Sequence, residues 1–452
     1  MISGLDRRPL FLFPEQLRPL GRTSSSSSSS SLTVKSVMSH TDVPSPLPKG
    51  NMWVEDLWYN TTADQSTSVN SQDKCFCWDR AIDDLLTEGN GSMAFLPLPD
   101  TVASELTHAW QILAEVFSKT LGGDGDVLDF PPPSAWAQID DSADSAHCTG
   151  YHSSSPGFSR RYNAHRRGWV FSDEDWTCSI GGDERKDDEL VIIQQEKFDH
   201  AMGILHAILH FILDNLLLAL SRKWGLLHQT TNEDDKNTAC WFQTNMGPTR
   251  SHSQWHVKEF VTPPNSNHSD STTTTEEDSS QPVEWLPAHT DPSLVSVVIH
   301  DTQHKNMRGS RGLQYYSTSD KEWHPARPSS ETTITTDSST SEYPPQQYAT
   351  IFVGSVLAAM TSHQVPACRH RVIYEDEENT SRSIDSQSSS RDPDDRGIRR
   401  ATTLFGRPAP TAKLQHIPGF PRIRQEGMRF EEWLSRVARN YEKSKKNRTT
   451  KT

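Results

Sequence analysis

Pro287-Ala288-His289-Thr290-Asp291-Pro292 closes a predicted strand that begins at Glu284, and it is read with a distant partner, Cys368-Arg369-His370-Arg371-Val372. Side chains at i and i+2 of a strand share a face. His289 and Asp291 have that spacing, so both can grip one ion from one side. His370 can bring a third ligand from another strand. Two imidazoles and one carboxylate on one side of an ion leave the opposite positions open, a donor set suited to non-haem Fe(II).

Working outward, strand-like segments surround these residues. His256 to Val261 alternates and ends at Pro263-Pro264. Leu294 to Ile299 is continuous and β-branched, as a strand buried on both faces should be. Gly312 to Tyr316, Trp323 to Pro325, Tyr348 to Val353, His370 to Ile373 and Arg399 to Phe405 follow. The chain reads as strand-like from Trp241 onward, and Val356 to Met360 leads into a loop. Three polar inserts, 265–280, 329–346 and 375–397, fall between strands, where added loop length costs little entropy. Without them, about eight short strands remain, the count of a double-sheet jelly roll.

Upstream the pattern is helical. Ala81 to Leu86 is a short helix, Ser92 to Leu96 a strand, and a helix starts at Pro99-Asp100-Thr101 and ends at Gly122-Gly123. Asp124 to Ser155 reads as loop, and Arg160 to Arg167 as surface arginines facing acidic partners, with an anion contact, such as a substrate carboxylate, as the alternative reading. Lys197 to Trp224 is the strongest helix, with Phe198, Met202, Leu205, Leu209, Ile212 and Leu216 on one stripe. His206 and His210, one turn apart, read as packed residues of that helix rather than metal ligands. A closing helix spans Met428 to Tyr441. The predicted fold is therefore α+β: a double-stranded β-helix (jelly roll) core with flanking helices and disordered inserts. Its parts are a disordered leader (1–72), a helical N-terminal region (73–240), the jelly-roll domain (241–441) and a basic tail (442–452). Trp53, Trp58 and Tyr59 stand out in the leader as residues suited to docking on the core.

Composition narrows the classes. Of 452 residues only 33% are hydrophobic, so one folded unit interrupted by inserts fits better than three domains. A formal charge of −14 argues against nucleic acid or an acidic membrane surface as partner. No apolar run reads as a membrane span; Ile204 to Leu220 carries His206, His210 and Asp214. Cys75-Phe76-Cys77 has no second close-spaced pair, and the six cysteines read as reduced thiols of an intracellular, cytoplasmic protein. The Arg- and Ser-rich start, Arg7 through Ser31, carries an organelle transit peptide as its alternative reading.

The run from His289 to Arg407 resembles the Fe(II)- and 2-oxoglutarate-dependent dioxygenases of the isopenicillin N synthase-like group. The matching pieces are His289-Thr290-Asp291, Gly312-Leu313-Gln314, Trp323, Ile351-Phe352-Val353-Gly354, His370-Arg371-Val372, and Arg400-Ala401-Thr402 followed by Phe405 and Arg407-Pro408. The resemblance implies Fe(II) on His289, Asp291 and His370. It implies 2-oxoglutarate as co-substrate, its distal carboxylate on Arg400 with Thr402 adding a hydroxyl, and ascorbate as an accessory reductant. The implied reaction consumes O2, releases succinate and CO2, and hydroxylates or otherwise oxidises a small organic substrate. Two positions depart from the family: Thr262 stands near the place of a tyrosine before the Pro-Pro pair, and Ser355 stands where aspartate is common. An iron oxidase that dispenses with 2-oxoglutarate, and a non-catalytic binding protein that keeps the fold, are the alternatives.

Overall fold

A β-branched run such as Val295, Val297, Val298 and Ile299 is at ease in a strand covered on both faces, and the layers of the structure follow from it. The computed structural model describes residues 52–59, 71–87, 91–119, 150–152, 166–172, 189–227, 240–246, 253–261, 284–302, 312–328, 347–373, 398–437 and 439. In chain order they form α1 (Met52–Tyr59), α2 (Ser71–Leu86), β1 (Met93–Pro97), α3 (Asp100–Lys119), β2 (Gly150–His152), β3 (Arg166–Ser172), α4 (Glu189–Lys223) and α5 (Trp241–Met246). Then come β4 (Gln254–Val261), β5 (Glu284–His289), β6 (Val295–His300), β7 (Leu313–Tyr316), β8 (Trp323–Pro325), β9 (Tyr348–Val353), α6 (Ser355–Met360), β10 (His370–Ile373) and β11 (Ile398–Gly406). A last helix, α7, spans 430–437.

The strands make two antiparallel sheets. The larger runs β1-β9-β6-β11-β4-β3-β2 and the smaller β5-β10-β7-β8. β6 lies inside the larger sheet, and all six of its residues are buried. Its two faces serve two cores. Val295, Val297 and Ile299 join the helices, while Val298 joins Phe260, Phe352, Ala401 and the smaller sheet's Trp285, Leu313 and Val372. The second core is the space between the sheets. Gly312 opens β7 at φ +78, and a Cβ there would strike the carbonyl of Ile373 on β10; glycine meets both demands.

On the other face lies α4, whose stripe Phe198, Met202, Leu205, Leu209, Ile212 and Leu216 is fully covered by α2, α3 and the larger sheet. By length and composition Glu196–Lys223 does pass as a membrane span, contrary to the sequence reading, yet 67% of its most apolar window is buried inside the protein. Apolar burial of this kind marks a core helix.

Four segments differ from expectation. The leader up to residue 72 is not structureless throughout: Met52–Tyr59 is a helix, and buried Trp58 stacks on Trp78 at 5.0 Å and leans on Phe211 at 5.4 Å. The N-terminal region carries more than helices and the expected strand β1, since β2 and β3 extend the larger sheet at its other edge. Polar residues between Asp124 and Arg167 concealed β2 and β3. At Trp241 the chain forms α5, not a strand; Thr244 and Asn245 bond back to the carbonyls of Cys240 and Trp241, which closes helical turns. Val356 to Met360 forms α6 for a reason given below. The inserts at 265–280, 329–346 and 375–397, the tail 442–452, and Arg160 to His165 lie outside the described residues.

Trp58→Ala should lower unfolding free energy by about 3–5 kcal/mol, the usual cost of emptying a Trp-sized site. Urea denaturation monitored by circular dichroism measures it; a change under about 0.5 kcal/mol would mean that α1 does not pack on the core.

Candidate active site

β5 and β10 are neighbours, and their register sets His370 opposite His289. The two imidazole rings lie 4.3 Å apart. Asp291, in the turn after β5, brings its Oδ1 to 3.5 Å from His289 Nε2 and 3.7 Å from His370 Nε2. All three residues are buried, and they form a set of potential metal ligands whose donor atoms lie within 4.8 Å of one another. Each ring is oriented from behind. His289 Nδ1 donates to the carbonyl of Pro287 at 2.8 Å, and His370 Nδ1 to that of Cys368 at 3.3 Å. Both Nε2 lone pairs are thereby turned to the same point. Phe352 stacks flat on the His370 ring at 4.5 Å and 3°.

The set fits a divalent ion. Adjacent ligands at about 2.1 Å from a metal stand about 3 Å apart, so a small closure of the observed spacings suffices. Among the described residues, buried Asp291 Oδ2 has no hydrogen-bond partner, an orphaned acceptor that a cation would satisfy. Burial alone would push the Asp291 carboxyl up, but His370, His289 and the Ser296 hydroxyl together hold it at about 2. Burial draws His370 down to about 4, against the pull of Asp291. At neutral pH the carboxylate is ionised and His370 is unprotonated, which are the ligating forms.

Residues beyond the triad hold it in place. Gly354 ends β9, and a Cβ there would run into the carbonyl of Ser293. The chain then turns its N–H groups onto the Asp291 loop. Ser355 N–H and Ser355 Oγ both donate to the Asp291 carbonyl, at 2.7 and 2.9 Å, and Val356 N–H donates to Ser293 at 3.1 Å. These bonds start α6 as a helical turn and fix the ligand loop. Ser355 thus has a positioning role that its departure from the family pattern concealed.

β11 corrects the expected co-substrate contacts. Successive side chains of a strand face opposite sides. Ala401 lies in the inter-sheet core and Leu404 in the helix-side core, so Arg400 and Thr402 face the helices, away from the triad. There Arg400 Nε meets Glu259 at 2.6 Å and Nη1 meets Asp301 at 3.2 Å, all buried. Thr402 Oγ1 accepts from Trp255 Nε1 at 2.7 Å and donates to the His256 carbonyl at 3.2 Å. Arg399 takes the inner face instead. Its guanidinium stands 5.0 Å over the Phe260 ring, and its Nη2 donates to His300 Nδ1 at 3.4 Å. Its Nε has no partner, and no carboxylate meets it among the described residues. Burial lowers Arg399 to about 9, still a cation at neutral pH. Burial, then Arg399, drive His300 well below its usual value, so it accepts as a neutral ring. Thr262 lies outside the described residues. His206 and His210 pack ring against ring at 4.3 Å, tilted by 51°, beside Trp255, as packed residues do.

No family model and no curated protein matches the sequence. Solved structures do align with the chain. A full-length Neurospora crassa protein, solved in complex with alpha-KG and 5-formyluracil, is 14% identical, with TM-score 0.46, over 82% of this chain and 92% of that one. A putative 2OG-Fe(II) oxygenase family protein of Caulobacter crescentus is 15% identical, TM-score 0.45, over 82% and 96%. The rice dioxygenase for auxin oxidation is 12% identical, TM-score 0.44, over 81% and 92%.

The two arginines should separate cleanly. Arg400→Met leaves Glu259 and Asp301 buried without their cation and should cost about 3–5 kcal/mol; Arg399→Met removes an unpaired buried charge and should leave urea stability within about 1 kcal/mol. The pH dependence has a definite sign. Between about 6.5 and 4 an unfolded chain binds a proton at residue 370 that the folded chain refuses, so folding weakens as pH falls through that window. The metal-free protein should lose on the order of 2 kcal/mol from this group between pH 7 and 5, with His300 adding in the same direction and Asp291 below it. His370→Gln should flatten the slope of urea midpoint against pH.

Proposed function

We propose that this chain is an Fe(II)- and 2-oxoglutarate-dependent dioxygenase that oxidises a small organic molecule, and that its two sheets are the halves of a double-stranded β-helix. The observation that carries the reading is a pairing across the inter-sheet space: three convergent ligand atoms of His289, Asp291 and His370, and a buried guanidinium, Arg399, that lacks a carboxylate among the described residues. A metal site alone would admit many reactions. A metal site with a free buried fork beside it asks for a ligand that carries an anion at one end and metal donors at the other.

Bound there, the iron and 2-oxoglutarate supply an O2-dependent oxidation that releases succinate and CO2. The chain's own residues prepare the place. Arg399 would take the distal carboxylate of 2-oxoglutarate in two parallel bonds, and neutral His300 holds one guanidinium nitrogen in line for it. Ala401, two residues on, has no hydroxyl to add. Thr350 shares the inner face with Phe352, and its buried Oγ1 has no partner among the described residues; it is a donor that would assist. The Pro287 and Cys368 carbonyls keep the imidazoles aligned, and Ser355 keeps Asp291 in register. Phe260, Trp285, Phe352 and Val298 exclude water around them.

Given Fe(II) without oxygen, the protein should develop a visible charge-transfer band when 2-oxoglutarate is added, and His370→Ala should remove it. Arg399→Gln should raise the 2-oxoglutarate concentration at half-maximal band by about tenfold or more, with Fe(II) or Mn(II) affinity by calorimetry unchanged. Iron-loaded protein with no band would sink the co-substrate assignment. O2 uptake without matching succinate release would point to an iron oxidase, and failure to bind either metal to a non-catalytic protein.

A further inference from the structure

β11 carries a second arginine on its inner face. Gly406 backs onto Leu213 of α4, which places Phe405 and Arg407 on the side of the metal ligands. The Arg407 guanidinium lies 5.8 Å from the Phe405 ring centroid, and Phe405 sets its edge against His256 at 4.8 Å. Arg407 Nε is sealed from solvent without a hydrogen-bond partner, and no carboxylate pairs with the side chain among the described residues. Arg400, by contrast, is closed by two carboxylates. An arginine kept for structure is paired in that way; one held in a partly buried place without a carboxylate is suited to an anion.

Its position suggests which anion. Along the inner face of β11, Arg399 and Ala401 are buried, while Thr403, Phe405 and Arg407 are partly exposed. The inter-sheet space is therefore closed at Arg399 and open at Arg407. The ligand triad lies between them. Ser296, whose hydroxyl is one of the groups that hold the Asp291 carboxyl down, pairs with Phe405, and both arginines are near enough to the triad to act on its charges. Charge balance agrees. Asp291 is one negative charge against two guanidinium charges and a divalent metal, a sum of three positive. The dianion 2-oxoglutarate cancels two. One positive charge remains, at the open end, beside aromatic rings.

We propose that Arg407 anchors the carboxylate of the substrate, so that the molecule oxidised is a small, largely apolar monocarboxylic acid held between Arg407 and the metal. This inference rests on the function proposed above and names its substrate class. Arg407 is a binding residue here, with Phe405 packed against the apolar body of the acid.

The test uses the full chain loaded with Fe(II) and 2-oxoglutarate in the absence of oxygen. The probes are phenylacetate, benzoate and hexanoate, each against its primary amide. At least one acid should shift the charge-transfer band saturably and raise the thermal midpoint, with its amide weaker by about tenfold or more. Arg407→Gln should remove the preference for the acid while leaving half-saturating 2-oxoglutarate unchanged, and Arg407→Lys should restore part of it. The inference is overturned if acids and amides respond alike, if no probe responds, or if Arg407→Gln weakens 2-oxoglutarate instead. A wild-type protein that never forms the band fails at the earlier step, and the spectrum taken before any probe is added reveals that.

Discussion

One alternation organises the site: on β11, neighbouring arginines face opposite ways. Arg400 points to the helices and is neutralised by Glu259 and Asp301. Arg399 points between the sheets and, among the described residues, meets a neutral histidine and an aromatic face and no carboxylate. A slip of one residue that put Ala401 in the place of Arg400 would leave two buried carboxylates without a cation. The pairing of Arg400 is what makes that slip costly. The ion cluster outside the cavity thus secures the open charge inside it, and Thr402 with Trp255 adds a second lock on the same parity.

The metal ligands depend on a different kind of restraint. His289 and His370 come from paired strands, but Asp291 sits in a turn, where a side chain would ordinarily wander. Its place is set through its own carbonyl, held twice by Ser355. Gly354 permits the approach because the carbonyl of Ser293 leaves no room for a Cβ. A loop ligand can be positioned as firmly as a strand ligand when its backbone is bonded at both the donor and the turn.

Much of this was legible in the residues. The β-branched run of β6, the alternation of β4, and the spacing of His289 and Asp291 with a distant histidine each carry a local signal, and the strands formed where those signals lie. The triad converged as its spacing required. The choice between Arg399 and Arg400 was not legible from β11 alone, because both faces of that strand carry an apolar residue, Ala401 on one and Leu404 on the other. Only the partner strand decides it: Trp255 and Val257 must go to the helix core, which takes Glu259 with them and calls Arg400 to that side. β2 and β3 were hidden for another reason. β2 is an edge strand of only three residues, and β3 opens with Arg166-Arg167, the end of a run that reads as surface. α6 is set by contacts with a loop sixty residues away, which no local window contains.

The ladder between β5 and β10 is irregular, with register shifts on either side of Val372. A rigid ladder would fix the gap between His289 and His370 and so admit one ionic radius. One with register shifts at Val372 ties that gap less tightly to the ladder's own spacing. Such a cradle discriminates poorly by size, and imidazole and carboxylate donors accept several first-row ions in the usual affinity order. The identity of the resident metal is then decided by which ion the cell keeps plentiful and loosely held, a property of the surroundings and not of the fold.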